Sequence, residues 1–221
     1  MELFADLITP NDKVVEVGGH IGFITTYFAQ LVSAAGSVTV LEPGLNNIPY
    51  IEKNIEIASK LSELGKIKLE VKAVGPEVGE IDFYEDTLSG QNNSVVANYV
   101  GLESNAKAAF STVETNKRTV QLVSLDSYLG DDQVDFVKID AEEFELGVLK
   151  GMEFLLQNQR PMIMVEVTSS QGEILDLLNE NGYDMFDDNR NLISTAREMG
   201  GSLNFFCLHK VAHKEQLRRY F

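Results

Sequence analysis

The chain of 221 residues carries 18 Lys and Arg against 34 Asp and Glu, a formal net charge of −16 at pH 7. A surface of that sign repels phosphate backbones and argues against a nucleic-acid partner. No apolar run approaches the ~20 residues of a membrane span, so no membrane partner is expected, and the single cysteine, Cys207, excludes an internal disulfide and fits a reducing, cytoplasmic compartment.

The length suits one domain over residues 1–221, and nothing at the start reads as a secretory leader. Lys13–Val17 is a short apolar strand that ends in a glycine-rich turn. Ile24, Phe28 and Leu31 then share one face of a helix over Ile21–Val32. Ser37–Leu41 is a second strand, closed by Glu42-Pro43-Gly44. Ile48, Ile51, Ile55 and Ala58 follow at helical spacing, with Pro49 acceptable only in that helix's first turn. Ile67–Val74 reads as a third strand and Glu80–Tyr84 as a fourth. The polar stretch 87–118 has no clear period, and a loop of that length is a candidate lid or insertion over a binding pocket, with Asn92, Asn93 and Ser94 offering polar contacts.

Order returns with a strand at Thr119–Val123, then an apolar strand at Val134–Ile139 that ends on Asp140. A helix over Glu143–Leu149 closes at Gly151, and Met162–Val167 is the next strand. Ser170 and Glu173 have capping-box spacing for a helix carrying Ile174, Leu177 and Leu178. Tyr183–Phe186 and Leu203–Leu208 have no crossover helix between them, so a hairpin with an antiparallel strand at the sheet edge is expected. Cys207, among Phe205, Phe206 and Leu208, reads as a buried strand residue, and Lys210–Phe221 as a solvated terminal helix. Continuous apolar strands alternating with helices indicate an α/β sheet covered on both faces.

The first turn reads Glu16-Val17-Gly18-Gly19-His20-Ile21-Gly22. Glycines at Gly18 and Gly22 let the backbone turn sharply and approach a ligand, while the next helix points free N–H groups at it. A dinucleotide fingerprint needs glycine where His20 stands. The spacing acidic-x-Gly-x-x-x-Gly is instead that of enzymes using S-adenosylmethionine (SAM). On that reading Gly18, Gly19, His20 and Gly22 surround the cofactor, and Glu16 faces its ammonium group. Glu42, 20 residues past Gly22, would accept the ribose hydroxyls, and Ala73 and Val74 would hold the adenine.

Several stretches together resemble the FkbM family of methyltransferases. They are Lys13–Thr25, Leu41–Asn54 with its Glu-Pro, Val71–Gly75 with Gly79–Tyr84, Arg160–Val167, and above all VDFVKIDAEEFELGVLKG over Val134–Gly151. The last carries the Lys-Ile-Asp-x-Glu-x-x-Glu pattern at Lys138, Ile139, Asp140, Glu142 and Glu145. His20 departs from the usual Asn and Glu143 from the usual Gly. A nearly missing helical lead-in fits a domain cut from a larger, multidomain chain. The resemblance implies a Rossmann-like class I methyltransferase fold, a mostly parallel seven-stranded sheet with an antiparallel edge strand and helices on both faces. It also implies methyl transfer to a hydroxyl of a sugar or natural-product small molecule.

Methyl transfer to an alcohol requires in-line alignment and removal of the hydroxyl proton. Asp140 and Glu166 end two successive strands, and with His20 they are the candidate general bases; Asp140 also borders the cofactor. Alternatively Asp140, Glu142 and Glu166 would bind Mg²⁺, which lowers the hydroxyl pKa. Two other functions fit the residues less fully. One is a catalytically silent SAM-binding module. The other is an NAD-dependent oxidoreductase, against which His20 and the lack of a Tyr-x-x-x-Lys dyad both speak.

Overall fold

A computed structural model describes residues 1–87, 90–97 and 115–221. A first helix α1 (Glu2–Leu7) leads into β1 (Lys13–Val17), α2 (Phe23–Leu31), β2 (Ser37–Leu41), α3 (Ile48–Leu61) and β3 (Lys66–Glu70). Then come β4 (Ala73–Val74), β5 (Gly79–Asp86), β6 (Thr115–Val123), a short helix Leu125–Leu129 and β7 (Phe136–Ile139). The helix Glu145–Lys150 precedes β8 (Met162–Glu166), and the helix Gln171–Glu180 precedes β9 (Tyr183–Asp187) and β10 (Leu192–Ile193). The chain closes with β11 (Asn204–His209) and the helix Lys214–Tyr220.

The main sheet runs β10-β9-β11-β8-β7-β1-β2-β3, parallel from β8 to β3. The strand β11 is antiparallel to both β8 and β9, and β10 adds an antiparallel edge to β9. The expected methyltransferase sheet is therefore present, extended by the two-residue β10. The last strand lies inside the sheet and not at its edge. Met185–Ile193 forms a tight hairpin outward, so β11 returns through the gap between β8 and β9.

Strand alternation sorts the side chains into two cores. Val15, Val137, Ile163 and Cys207 face one layer with Leu149, Leu155 and Leu178 from its helices. Val14, Phe136, Met164 and Phe206 face the other, under Phe4 of α1 and Phe28 of α2. Phe4 meets Phe28 edge-on at 5.0 Å between ring centroids and Phe136 at 5.9 Å, so even the short α1 is pinned to the sheet. No described helix is long and apolar enough to cross a membrane.

Three further expectations change. The stretch Ile67–Val74 is not one strand. It breaks after Glu70, and Ala73–Val74 joins a second sheet of order β4-β6-β5. Apolar side chains at both ends of a bend look like one continuous run until the pairing partner is known. The capping box at Ser170 does not form either; Ser170 is left-handed at φ 51° and its side chain caps nothing. The helix expected from Glu143 starts at Glu145, because Glu142 and Glu143 sit at φ 48° and 73°. Of the candidate lid, residues 115–118 belong to β6 and 90–97 are a loop against the sheet; 88–89 and 98–114 lie outside the described residues.

Phe136 is fully buried between Phe4 and Phe28. Phe136→Ala is expected to lower unfolding free energy by about 3–5 kcal/mol, read from urea unfolding. A loss under about 1 kcal/mol would show that this layer repacks freely.

Candidate active site

The sheet reverses its winding between β1 and β7, and a crevice opens outside the carboxyl ends of the strands at such a switch point. A cavity of about 210 Å³, open to solvent, lies there. Gly18, His20, Glu42, Ala73, Val74, Asp140, Glu142 and Glu166 line it, with Lys72, Phe83, Gln91, Asn93, Val95 and Phe144.

The loop after β1 is shaped by close approach. Gly18 has φ +81°, and a Cβ there would stand 1.8 Å from the Asp140 carbonyl oxygen. No other residue fits against the start of the loop after β7. Gly19 and Gly22 sit against Val40 and Ile51 and do not line the cavity.

Glu16 and Lys138 are direct partners across the β1–β7 pairing. Glu16 is fully buried, accepts a hydrogen bond from the Thr25 hydroxyl, and lies 3.7 Å from the Lys138 ammonium. It does not reach the cavity. The ammonium also donates to the Gly18 carbonyl at 3.1 Å and to Asp140 Oδ2 at 3.0 Å. Burial pushes Glu16 up to about 7 against the pull of Lys138 and Thr25. Burial alone would lower Lys138, but Asp140 and Glu16 outweigh it and hold the amine charged.

Asp140 ends β7 at the cavity wall. Burial favours its neutral form, yet Lys138, the Glu166 hydrogen bond and nearby His20 prevail and keep its pKa below the ordinary value. Glu166, ending β8, moves the other way. Burial and the adjacent Asp140 push it up to about 8, so at neutral pH it donates its proton to Asp140. The two carboxyls thus share one proton, as like charges in close contact must.

Beyond them, Glu145 is buried at the start of its helix and accepts from the Ala141 and Glu143 amides at 3.2 and 3.1 Å. These bonds hold the left-handed turn that presents Glu142. Its second oxygen, Oε2, has no partner, and burial raises its pKa to about 7.

Glu42 ends β2 and is also buried. Its Oε2 accepts from the His20 amide at 2.9 Å, and its Oε1 from the Gly44 amide at 2.8 Å and Asn47 Nδ2 at 3.2 Å. A carboxylate accepts about four hydrogen bonds. One position on Oε2 is therefore left for a ligand.

Asp140, Glu166, His20, Glu42, Ala73 and Val74 all line this cavity, with His20 near Asp140 and its amide bonded to Glu42. Glu16 is drawn behind Lys138 and away from the cavity. The Mg²⁺ set finds no support. Among the described residues no three His, Cys, Asp or Glu side chains converge to hold a metal ion. Asp140 is already taken by the Lys138 ammonium and the Glu166 proton. Two residues that shape the site receive no role from the sequence: Lys138, named there only within the family pattern, and Asn47, which carries no signal.

A family model described as the methyltransferase FkbM domain matches residues 16–185. Among solved structures, a methyltransferase FkbM from Methylobacillus flagellatus KT aligns at TM-score 0.56 and 15% identity, covering 90% of this chain and 44% of that one. A proposed rRNA methylase from Clostridium thermocellum aligns at TM-score 0.52 and 11% identity, covering 93% and 89%. A SAM dependent methyltransferase from Aquifex aeolicus, at TM-score 0.44 and 12% identity over 93% and 85%, is too distant to weigh. At such identities the first two speak for the fold alone, and this chain spans under half the length of the first, 44%. No curated protein matches the chain.

Lys138→Met leaves Glu16 and Asp140 without their cation. The expected loss is about 3–5 kcal/mol near pH 8, as for other buried pairs broken on one side. Without the amine, Glu16 moves further above its ordinary 4.5, so the folded chain keeps protons that the unfolded chain has released. The penalty then shrinks toward about pH 5.5, where the buried acid is neutral. Urea unfolding at both pH values checks this, and an equal loss at both would contradict it.

Proposed function

Because the chain belongs to the FkbM methyltransferase family, we propose that it binds SAM in this cavity and methylates a hydroxyl oxygen of a small-molecule acceptor, a sugar or natural product. One observation carries the reading. Glu42 keeps an open acceptor position in the same cavity that Asp140 and Glu166 line together.

The residues present suit SAM. Glu42 offers Oε2 to a ribose hydroxyl, and Gly18 lines the cavity with no side chain in the way. Ala73 and Val74, with Phe83 and Phe144, supply apolar surface for an adenine. When bound, SAM would supply a methyl group on a positively charged sulfur, whose bond to that carbon breaks as the C–O bond forms, leaving a neutral thioether. Everything else falls to the chain. Asp140, kept ionised by Lys138, orients the acceptor hydroxyl, and the Asp140–Glu166 pair takes up its proton as the new C–O bond forms.

A nucleic-acid acceptor, as the description of the Clostridium thermocellum protein would have it, is disfavoured here by the net charge of −16. The carboxyls at the reacting end point the same way.

Asp140→Asn is expected to abolish transfer, at least about 10²-fold as for loss of a general base, while SAM binding measured by calorimetry stays nearly intact. Lost SAM affinity would reassign Asp140 to the cofactor. The pair takes a proton better once Glu166 is ionised, so kcat/KM should climb as pH rises through about 8. Glu166→Gln should flatten that climb, and a profile unchanged by the substitution would remove Glu166 from the proton path.

A further inference from the structure

Part of the cavity wall is built by the segment 90–97, which carries no regular secondary structure. Gly90, Gln91, Asn93 and Val95 all line the cavity. The segment is nevertheless tied down on three sides. Ser94 pairs with Tyr84 of β5 through both backbone bonds and donates its hydroxyl to the Glu142 carbonyl at 2.6 Å. Asn93 accepts from the Asp86 amide and donates to Asn46. The third tie is Asn47, at the entrance to α3.

Asn47 is 2% exposed, and its amide nitrogen uses both protons. One goes to Glu42 Oε1 at 3.2 Å, the other to the Gly90 carbonyl at 3.1 Å. Gly90 has φ +67°, and a Cβ there would stand 2.4 Å from Asn47 Oδ1, so the wall is pressed directly onto this side chain. A single amide group thus joins the carboxylate read as the ribose partner to the wall of the cleft. With three of about four acceptor positions on Glu42 filled, a ribose that donates two hydroxyls can place one at the open position. The second must compete with Asn47 for Oε1.

We propose that Asn47 is a positioning residue through which an occupied Glu42 sets the Gly90–Val95 wall, so that the cofactor seats before the acceptor. The inference rests on the SAM reading above and goes beyond it. A ligand on Glu42 releases one Asn47 proton from the carboxylate and leaves the amide to Gly90. The wall then takes the form the acceptor meets.

The experiment combines calorimetry and hydrogen exchange with S-adenosylhomocysteine, the demethylated cofactor, as probe. In the wild-type chain the probe is expected to slow exchange across residues 90–97 by about tenfold, a shift of one decade in the opening equilibrium. In Asn47→Ala the probe should bind at least as tightly, because the competitor for Oε1 is gone, with no change in exchange at 90–97. The acceptor KM should rise although cofactor affinity does not fall. A purely structural role would lower the melting point without separating these readouts. Ser94→Ala, which cuts the far tie and leaves Glu42 untouched, should keep probe affinity within about twofold and lose the ligand-induced slowing. It decides the matter if Asn47→Ala fails to fold.

Absence of probe binding to the wild-type chain would remove the SAM reading, and this inference with it. Probe binding with no slowing at 90–97, or slowing retained in both variants, would overturn the Asn47 inference alone. A loss of probe affinity beyond about a hundredfold in Asn47→Ala would make it a direct cofactor ligand and also overturn the positioning role.

Discussion

The arrangement depends on one buried cation. Lys138 stands in the middle of an apolar parallel sheet, 5% exposed, where an isolated ammonium would be several kcal/mol out of place. It is tolerated because β1 brings Glu16 opposite it, β7 continues into Asp140, and the turn after β1 offers the Gly18 carbonyl. Those contacts fix the β1–β7 register, the entry of the glycine loop and the direction of the Asp140 side chain at once. Thr25 extends the constraint to α2 by holding the other oxygen of Glu16.

From that cluster follows the uneven titration of the acids around it. One amine serves Glu16 and Asp140, and the nearer carboxylate wins: 3.0 Å to Asp140 against 3.7 Å to Glu16. Asp140 stays ionised, while Glu166, farther out and beside a negative neighbour, keeps its proton. Two carboxyls at adjacent strand ends therefore have opposite protonation at neutral pH, a separation that acid–base chemistry uses. Glu145 plays a different part. It is a buried acid that satisfies two amides of a strained turn and so sets where Glu142 stands.

The second sheet explains why the cavity has a far side. By turning Ala73–Val74 out of the main sheet, the chain pairs it with β6 and sets Phe83 and Phe144 beside it. The loop 90–97 then hangs from β5 and is pressed onto the entrance of α3 by Asn46 and Asn47. The cleft is thus made of two sheets and a polar strap, and Glu42 is the group they share.

By itself the sequence determined the alternation of strands and helices, the glycine turn at Gly18, and the acids ending β2, β7 and β8. These are local matters of period and spacing, and residues near one another in the chain are enough to settle them. It determined less about Ile67–Val74, where two sheets divide one apolar run, and about Ser170, whose left-handed backbone defeats a correct capping pattern. Only the tertiary structure decided that Glu16 serves Lys138 and lies away from the cavity, and that Asp140, Glu142 and Glu166 form no metal cluster. It alone decided that Asn47 reaches Gly90. Each of these turns on which residues from distant parts of the chain become neighbours, as Glu16 and Lys138 do across β1 and β7. Pairing register and burial set those distances, and composition and periodicity carry no record of either.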